Sequence, residues 1–361
     1  MRAVWLLCAC GCSFSHGSAS GSDATPRDGS GSADATKIDA AMRDGRDGSY
    51  PCFGLGFLHV CETAPPTQTL HITADQLLDT DTDCDSAVTV DQTGVCVKIA
   101  QQIQIDAKLS VSGSQPLVLV GTDSVMIGGT LDASSHHAPA IDGPGANASA
   151  CKASNKPGNN GGGPGGSFGG TGGPGAHPLL TAASGSPVPT TLRGGCAGTA
   201  GGAGTNDGGA GGSGGGALYV IAGNALVNTG TIDASGAAGS GGPAVNGGAG
   251  GGGSGGMIVL DAPVITNSGI VLAAGAGGGE AADNASGKPG GEPSTPDTAA
   301  SGGSGGTTSG GVGGIGSFST TLAGGAGRDG AAGGGGGGAA GYVLVFGGTL
   351  GATGVAPPVG M

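Results

Sequence analysis

Apolar and polar residues alternate in short runs that recur along this chain. Five segments of about twenty residues share one layout, two β-rich runs around a bend, and they begin at Gly94, Pro116, Ala217, Gly256 and Gly341. The alternation within each run has a period of two, which is typical of strands that bury one face. A unit this small cannot bury its apolar face alone, so we expect the fold to come from stacking of units.

The later copies can be aligned on the glycine that follows their bend, at Gly129, Gly230, Gly269 and Gly354. This alignment places apolar residues in columns. The first predicted column contains Leu117, Leu218, Met257 and Tyr342, and the second contains Leu119, Val220, Val259 and Leu344. We expect the members of each column to lie directly over one another.

The spacing of the copies suggests a fold class. The first two copies begin at Gly94 and Pro116, 22 residues apart, which is the length of one turn of a right-handed parallel β-helix. Such a turn contains three short strands, and successive turns stack about 4.8 Å apart. The sequence therefore predicts an all-β fold, a short right-handed parallel β-helix (solenoid).

Long glycine-rich insertions separate the later copies and account for most of the 88 glycines. They cover residues 136–216, 237–255 and 276–340, and all three begin at the same point of the repeat. We therefore expect them to project from one edge of the solenoid. Gly-Gly-x triplets around Phe168 match the three-residue turn of the extended left-handed helix, which predicts polyglycine II arms. Irregular loops are the alternative, because glycine loses the most backbone entropy on ordering.

The N-terminus has the pattern of an export signal. Residues 1–12 combine a basic start, a short apolar stretch and small residues before cysteine. This pattern resembles the lipobox of bacterial lipoproteins, in which the cysteine is acylated. Gly11 favours Cys12 as the acylated residue, whereas Leu7 favours Cys10. An unacylated secreted protein is the alternative.

Composition divides the remainder of the chain into two parts. Residues 13–50 consist mainly of Gly, Ser, Ala, Asp and Thr, and such a segment cannot offset the entropy of ordering. It is predicted to be a disordered tether. Residues 51–361 form the predicted β-helical domain. The sequence thus favours an exported protein that is lipid-anchored at the outer membrane or cell surface.

The cysteines support export. Acylation at Cys12 would leave six, and in an exported chain these are expected to form disulfides. They are Cys52, Cys61, Cys84, Cys96, Cys151 and Cys196. Closeness in sequence favours Cys52 with Cys61, Cys84 with Cys96, and Cys151 with Cys196, although six thiols allow fifteen pairings.

Charge restricts the partners and suggests one metal. With 25 acidic and 12 basic residues, the net charge of −13 repels phosphate backbones, so no nucleic acid partner is expected. Alternate carboxylates at Asp79, Asp81, Asp83 and Asp85 resemble the ligand spacing of a calcium site. A solvated acidic loop that discourages end-to-end strand addition is the alternative. Otherwise no cofactor is predicted.

Candidate catalytic groups are sparse. His136 and His137 lie near Asp132 at the root of the first insertion, where an exposed loop is expected. Asp132 and Asp233 occupy equivalent positions in two copies, but Leu272 follows in the next copy. A β-helix hydrolase or lyase needs several converging carboxylates or a basic residue that acts as the base. We therefore predict a non-enzymatic protein.

Several short motifs together resemble a known group of proteins. They are the N-terminal cysteine run, "PCFG" at Pro51, "DTDTD" from Asp79, and "LDASS" and "RGGCAG" near the first glycine tract. Over nearly its whole length the chain looks like uncharacterised glycine-rich lipoproteins of myxobacteria and related bacteria. The resemblance implies export and lipid anchoring and carries no activity with it.

These observations lead to one functional hypothesis and two alternatives. The hypothesis is an adhesive or envelope-structural role at the cell surface, with surface glycans or other cells as partners. A carbohydrate-active β-helix enzyme of the polysaccharide lyase or glycosidase type would instead place two carboxylates within about 10 Å of each other in a cleft. A glycine-rich matrix or ice-binding protein would present flat arrays of glycine helices.

Overall fold

The computed structural model describes residues 51–85, 88–92, 94–152, 154–204, 207–351 and 353–360. The predicted signal peptide with Cys10 and Cys12 and the predicted tether at residues 13–50 lie outside the described residues. The described part of the chain contains seventeen strands and no α-helix. It accordingly has no helix long and apolar enough to span a membrane.

The strands form where the alternating runs occur in the sequence. In chain order they are β1 (Cys52–Phe53), β2 (Val60–Glu62), β3 (Thr69–Ile72), β4 (Gln76–Asp79), β5 (Val88–Val90), β6 (Cys96–Ile105), β7 (Lys108–Ser112), β8 (Leu117–Ile127), β9 (Thr130–Asp132), β10 (Ala217–Ala222), β11 (Ala225–Asn228), β12 (Thr231–Asp233), β13 (Met257–Ala262), β14 (Val264–Asn267), β15 (Ile270–Leu272), β16 (Tyr342–Gly347) and β17 (Val355–Ala356).

These strands make three sheets. The largest has eight strands, with the order β14-β11-β8-β10-β13-β16 and with β6 and β3 joined through β8. The second has six strands in the order β17-β15-β12-β9-β7-β4, and all pairs in both sheets are parallel. The third is the antiparallel sheet β1-β2-β5.

The all-β prediction is confirmed, but the predicted right-handed β-helix (solenoid) is wrong. The two parallel sheets are open. The eight-stranded sheet has β6 and β3 at one edge and β14 and β16 at the other, and the six-stranded sheet ends at β17 and β4. A three-faced coil needs the first two runs of each copy in different sheets. Here both runs belong to the eight-stranded sheet, because β10 and β11 pair with successive halves of the single long strand β8. The spacing of 22 residues between copies is equally compatible with this arrangement.

The predicted columns are correct for two copies and shifted by one residue in the next two. Leu117 pairs with Leu218 as expected, but Leu218 then pairs with Ile258 rather than with Met257. The bend between β10 and β11 has two residues and the bend between β13 and β14 has one. Because the bends differ in length, aligning the copies on the glycine after the bend shifts the strand before the bend by one residue. Such a shift moves each side chain of that strand to the opposite face of the sheet.

Two apolar clusters pack on opposite faces of the eight-stranded sheet. One lies between the two parallel sheets and includes Leu117, Leu218 and Ile258 together with Leu131 of the six-stranded sheet. The other includes Met257 and is covered by side chains from outside the sheets, namely Leu58, Phe168 and Leu192. Thus the N-terminal residues and the first glycine-rich segment supply part of the core.

The glycine-rich segments do not project as arms, so that part of the prediction is also wrong. They run side by side, largely buried, and their backbones hydrogen-bond to one another. In residues 250–255 the donor–acceptor pairs are Gly250 with Ser240, Gly251 with Thr199, Gly252 with Gly336, Gly253 with Ala237, Ser254 with Cys196 and Gly255 with Ala339. Successive amides thus point to three different neighbours, and the order repeats after three residues. That is the period expected from the Gly-Gly-x triplets.

Close approach of backbones explains why these positions are glycine. A Cβ atom placed on Gly337 would lie 1.8 Å from the carbonyl oxygen of Ile315, and one on Gly250 would lie 1.9 Å from that of Ala210. Both distances are far below van der Waals contact, and the neighbouring atoms are backbone. The packing of the glycine-rich segments therefore depends on the absence of side chains.

Disulfide bonds tie the loops to this framework. The prediction that cysteines pair is confirmed, with bonds Cys52–Cys61, Cys84–Cys96 and Cys151–Cys196. These are the pairs that closeness in sequence favoured. The third bond joins two points of the first glycine-rich segment that are 45 residues apart.

Candidate functional site

A cavity of about 330 Å³ lies on the outer face of the six-stranded sheet. Strands β4, β7 and β9 form its floor, and residues 134–141 fold over it. Its lining is part apolar and part charged, and comprises Leu77, Lys108, Ser110, Val111, Asp132, Ser134, His136, Ala138, Pro139 and Ile141. This is at the lower end of the size range of small-molecule sites.

Strand pairing brings the polar residues of the cavity together. Ser110 on β7 pairs with Asp132 at the end of β9, two residues along from the pairing of Lys108 with Thr130. Alternation puts Leu109 and Leu131 into the core, so Lys108, Ser110 and Asp132 face outward. Residues 134–136 then leave the sheet, which places Ser134 and His136 beside the strand that they follow.

Asp132 is the centre of this polar group and is only 5% exposed. One carboxylate oxygen accepts hydrogen bonds from the Ser134 amide, at 3.1 Å, and from the Ser134 hydroxyl. The other lies 2.7 Å from Lys108 Nζ and 3.3 Å from His136 Nε2. Burial alone would raise the pKa of Asp132, but the hydrogen bonds from His136, Lys108 and Ser134 hold it well below its usual range.

His136 connects Asp132 to a carboxylate from a distant segment. Its Nδ1 lies 3.0 Å from an Oε atom of Glu292, whose other oxygen accepts a hydrogen bond from the His137 amide. Hydrogen bonds to Asp132 and Glu292 raise the pKa of His136 to about 10. The imidazole therefore carries a proton on both nitrogens at neutral pH and pairs with both carboxylates.

Ser134, His136 and Glu292 lie in the order of a nucleophile, a base and an orienting acid. The Ser134 hydroxyl is 3.2 Å from His136 Nε2, and Glu292 contacts the other ring nitrogen. A general base must be unprotonated and must accept the proton of the nucleophile. Here the hydroxyl donates to Asp132 and the ring is already protonated, so the arrangement at rest lacks a base for Ser134.

A second pair of carboxylates lies on the same sheet. Asp132 and Asp233 are register partners on the adjacent strands β9 and β12, so their Cα atoms are about 4.8 Å apart. Burial, with the charge of Asp132 as a further cause, raises the pKa of Asp233 to about 7. Asp233 accepts a hydrogen bond from the Ser235 amide at 2.8 Å, the same turn that Asp132 makes with Ser134. Asp233 is not among the residues that line the cavity.

The carboxylates of the acidic run near residue 80 accept hydrogen bonds from separate backbone and side-chain donors. Asp85 contacts Lys98 Nζ at 2.7 Å, and Asp81 accepts the Ser114 amide at 3.1 Å. Asp79 and Asp83 accept the amides of Asp81 and Asp79. Within the described ranges, no three His, Cys, Asp or Glu residues are grouped so that they could hold a metal ion.

Asp132 and His136 stand out in the sequence, whereas their partners Lys108 and Glu292 do not. Lys108 lies in a strand with no other charged residue beside it in the sequence. Glu292 lies in the third glycine-rich segment, 156 residues from His136. Strand pairing sets Lys108 opposite Thr130, which follows the repeat glycine Gly129 and lies two residues before Asp132. No local signal identified Glu292.

Comparison with known proteins gives no further assignment: the chain matches no family model, no curated protein and no solved structure.

Proposed function

We propose that this protein is a non-enzymatic, exported surface protein with an adhesive or envelope-structural role. The observation that carries the proposal is the buried body of glycine-rich segments, in which each backbone is hydrogen-bonded to several neighbours. Such a body costs much conformational entropy to form and contains few groups that can do chemistry. It suits a protein whose task is to hold a fixed surface.

Two features support the proposed location. Residues 1–12 have the lipobox pattern, with Cys12 or Cys10 as the acylated residue. The three disulfides are of the kind that persists in oxidising compartments. We therefore place the protein outside the cytoplasm, anchored by lipid to the outer membrane or cell surface.

The state of the cavity residues supports a role without catalysis. Asp132 and His136 are held as an ion pair, and each has its hydrogen-bonding atoms occupied by protein groups. The proposed partners are surface glycans or other cells. The acidic surface disfavours nucleic acid.

The test has a location arm and an adhesion arm. Cells expressing the full chain are labelled with a fatty-acid analogue and fractionated, alongside Cys12→Ser and Cys10→Ser variants. We expect label on the outer-membrane protein and its loss in one of the two variants. Cells lacking the protein should then adhere less to one another or to glycan-coated surfaces. Unlabelled protein in the cytoplasm together with unchanged adhesion would refute the proposal.

A carbohydrate-active hydrolase is the second candidate, because Asp132 and Asp233 are close and their pKa values are displaced in opposite directions. That is the pattern of an acid and a nucleophile in retaining glycosidases, whose carboxyl groups are about 5 Å apart. Release of reducing ends from a polysaccharide panel by the purified protein, abolished in Asp132→Asn and in Asp233→Asn, would establish this function in place of the first.

A further inference from the structure

The charged groups Asp132 and His136 of the cavity on the six-stranded sheet are already paired with other protein groups. Both oxygens of Asp132 are occupied, by Ser134 on one side and by Lys108 and His136 on the other. Both nitrogens of His136 face carboxylates. A ligand that enters can therefore gain little by donating hydrogen bonds to these groups.

Lys108 is the lining residue that can still donate hydrogen bonds to a ligand. Its ammonium carries three N–H donors, and among the described residues its ion-pair partner is Asp132, at 2.7 Å. The side chain is 46% exposed and lines the cavity, so the remaining donors can reach a ligand there. Ser110 lies on the same strand and lines the cavity beside it.

The rest of the lining is aliphatic. Leu77 is 64% exposed and Ile141 is 38% exposed, so both leave apolar area that a ligand can cover. Val111, Ala138 and Pro139 add to this wall. The lining contains no Phe, Tyr or Trp side chain.

We propose that this cavity binds a small carboxylate with a saturated carbon body, whose anionic group pairs with Lys108 and whose body packs against Leu77 and Ile141. A uronic acid residue of a surface polysaccharide and a short aliphatic acid both have this chemistry. The inference rests on the proposed adhesive function, since it names the chemistry of the group that is recognised.

The test uses the purified full-length protein and NMR-detected titration with three probes. Galacturonate carries both the charge and the saturated ring, galactose has the same ring without the charge, and hexanoate has the charge on a linear chain. We expect galacturonate to bind with a Kd of about 1 mM, the affinity usual for a ligand of its size. Galactose should bind at least tenfold more weakly. The affinity for hexanoate relative to that for galacturonate shows whether the aliphatic lining prefers a linear chain or a saturated ring.

Variants connect binding to the cavity. Lys108→Met should weaken galacturonate binding at least tenfold, and Lys98→Met is the matched control, because Lys98 pairs with Asp85 away from the cavity. Ile141→Ser should weaken binding without touching any charge, which covers the case in which Lys108→Met fails to fold. Raising the salt concentration from 50 to 500 mM should weaken binding several-fold.

Two outcomes would overturn this site. One is equal affinity for galacturonate and galactose, and the other is full galacturonate binding by Lys108→Met. If either occurs while cells still lose adhesion without the protein, the adhesive function stands and another surface serves it. If galacturonate binds as expected but adhesion is unchanged in cells without the protein, the site stands and the adhesive part of the proposed function is wrong.

Discussion

The hydroxyl of Tyr219 donates a hydrogen bond of 2.8 Å to the carboxylate of Asp261, two residues along the neighbouring strand from its register partner. The same carboxylate oxygen accepts the backbone amides of Leu55, at 2.8 Å, and Gly56, at 3.0 Å. Asp261 is 1% exposed, and burial raises its pKa. This contact fastens the segment around residue 55 to the eight-stranded sheet, where Phe57 packs edge-on against Tyr219.

Replacement of Tyr219 by phenylalanine should destabilise the fold. The change leaves the aromatic contact in place and removes one donor from a buried carboxylate, which costs about 1–3 kcal/mol. Tyr342→Phe is the matched control, because the Tyr342 hydroxyl donates to the neutral carbonyl of Ser186 and its loss should cost about 1 kcal/mol. Denaturant unfolding of both variants measures the difference. Equal losses would show that Asp261 does not depend on Tyr219.

Stability should fall as the pH rises above neutrality because of His136. Its pKa is about 10 in the folded protein and near 6.5 unfolded, so its contribution is complete below about pH 6.5 and is lost as the pH rises towards 10. Because the ring is partly exposed, we expect a loss of about 2 kcal/mol over that interval after allowance for solvent screening. His136→Gln should flatten this part of the curve of unfolding free energy against pH. An unchanged slope in the variant would contradict the ion pair.

Addition of a single methyl group to the glycine-rich body should disrupt it. In Gly337→Ala the new carbon meets the Ile315 carbonyl at 1.8 Å, and relief requires backbone movement. We expect a loss of about 3 kcal/mol or more. Gly158→Ala is the control, since no atom lies within 4 Å of its added carbon, and it should change stability by less than about 1 kcal/mol. Thermal unfolding followed by circular dichroism compares them, and similar midpoints would argue against close packing.

Removal of disulfides should have effects ordered by loop length. The Cys151–Cys196 bond spans 45 residues and the Cys52–Cys61 bond spans nine. On the chain-entropy account, replacing both cysteines of a pair by serine costs about 4 kcal/mol for the longer loop and about 2.6 kcal/mol for the shorter one. Urea unfolding of the two double variants gives the order. A reversed order would mean that contacts made by the bonds in the folded state outweigh loop entropy.

The sequence predicted the strands well because alternation is a local signal. Leu117 and Leu218 pair as their positions in two copies suggested. The register of Ile258 could not be deduced in the same way, since it depends on a bend that is one residue shorter in that copy. Sheet closure is set by which strands share an edge, and the repeat spacing contains no information about that.

The candidate site shows a different limit. Asp132 and His136 stood out because they are close together in sequence, whereas Glu292 reaches them through the packing of two glycine-rich segments. Positions in glycine tracts have no periodic apolar pattern, so nothing in the sequence registers one tract against another. The raised pKa of His136 comes first from Asp132, which is close in sequence, and then from Glu292, so only the second contribution depends on the long-range contact.

Low-complexity glycine sequence is ordinarily the part of a protein that proteases cut first, because a cleavable chain must enter the enzyme as a free extended backbone. In residues 250–255 each amide is already bonded to another part of the molecule, and every residue is buried. Glycine-rich sequence in an unfolded chain would be cleaved quickly. Here a protease can bind the segment only after the surrounding glycine-rich body has unfolded. Resistance to proteolysis would then follow directly from the small size of the residues that pack there.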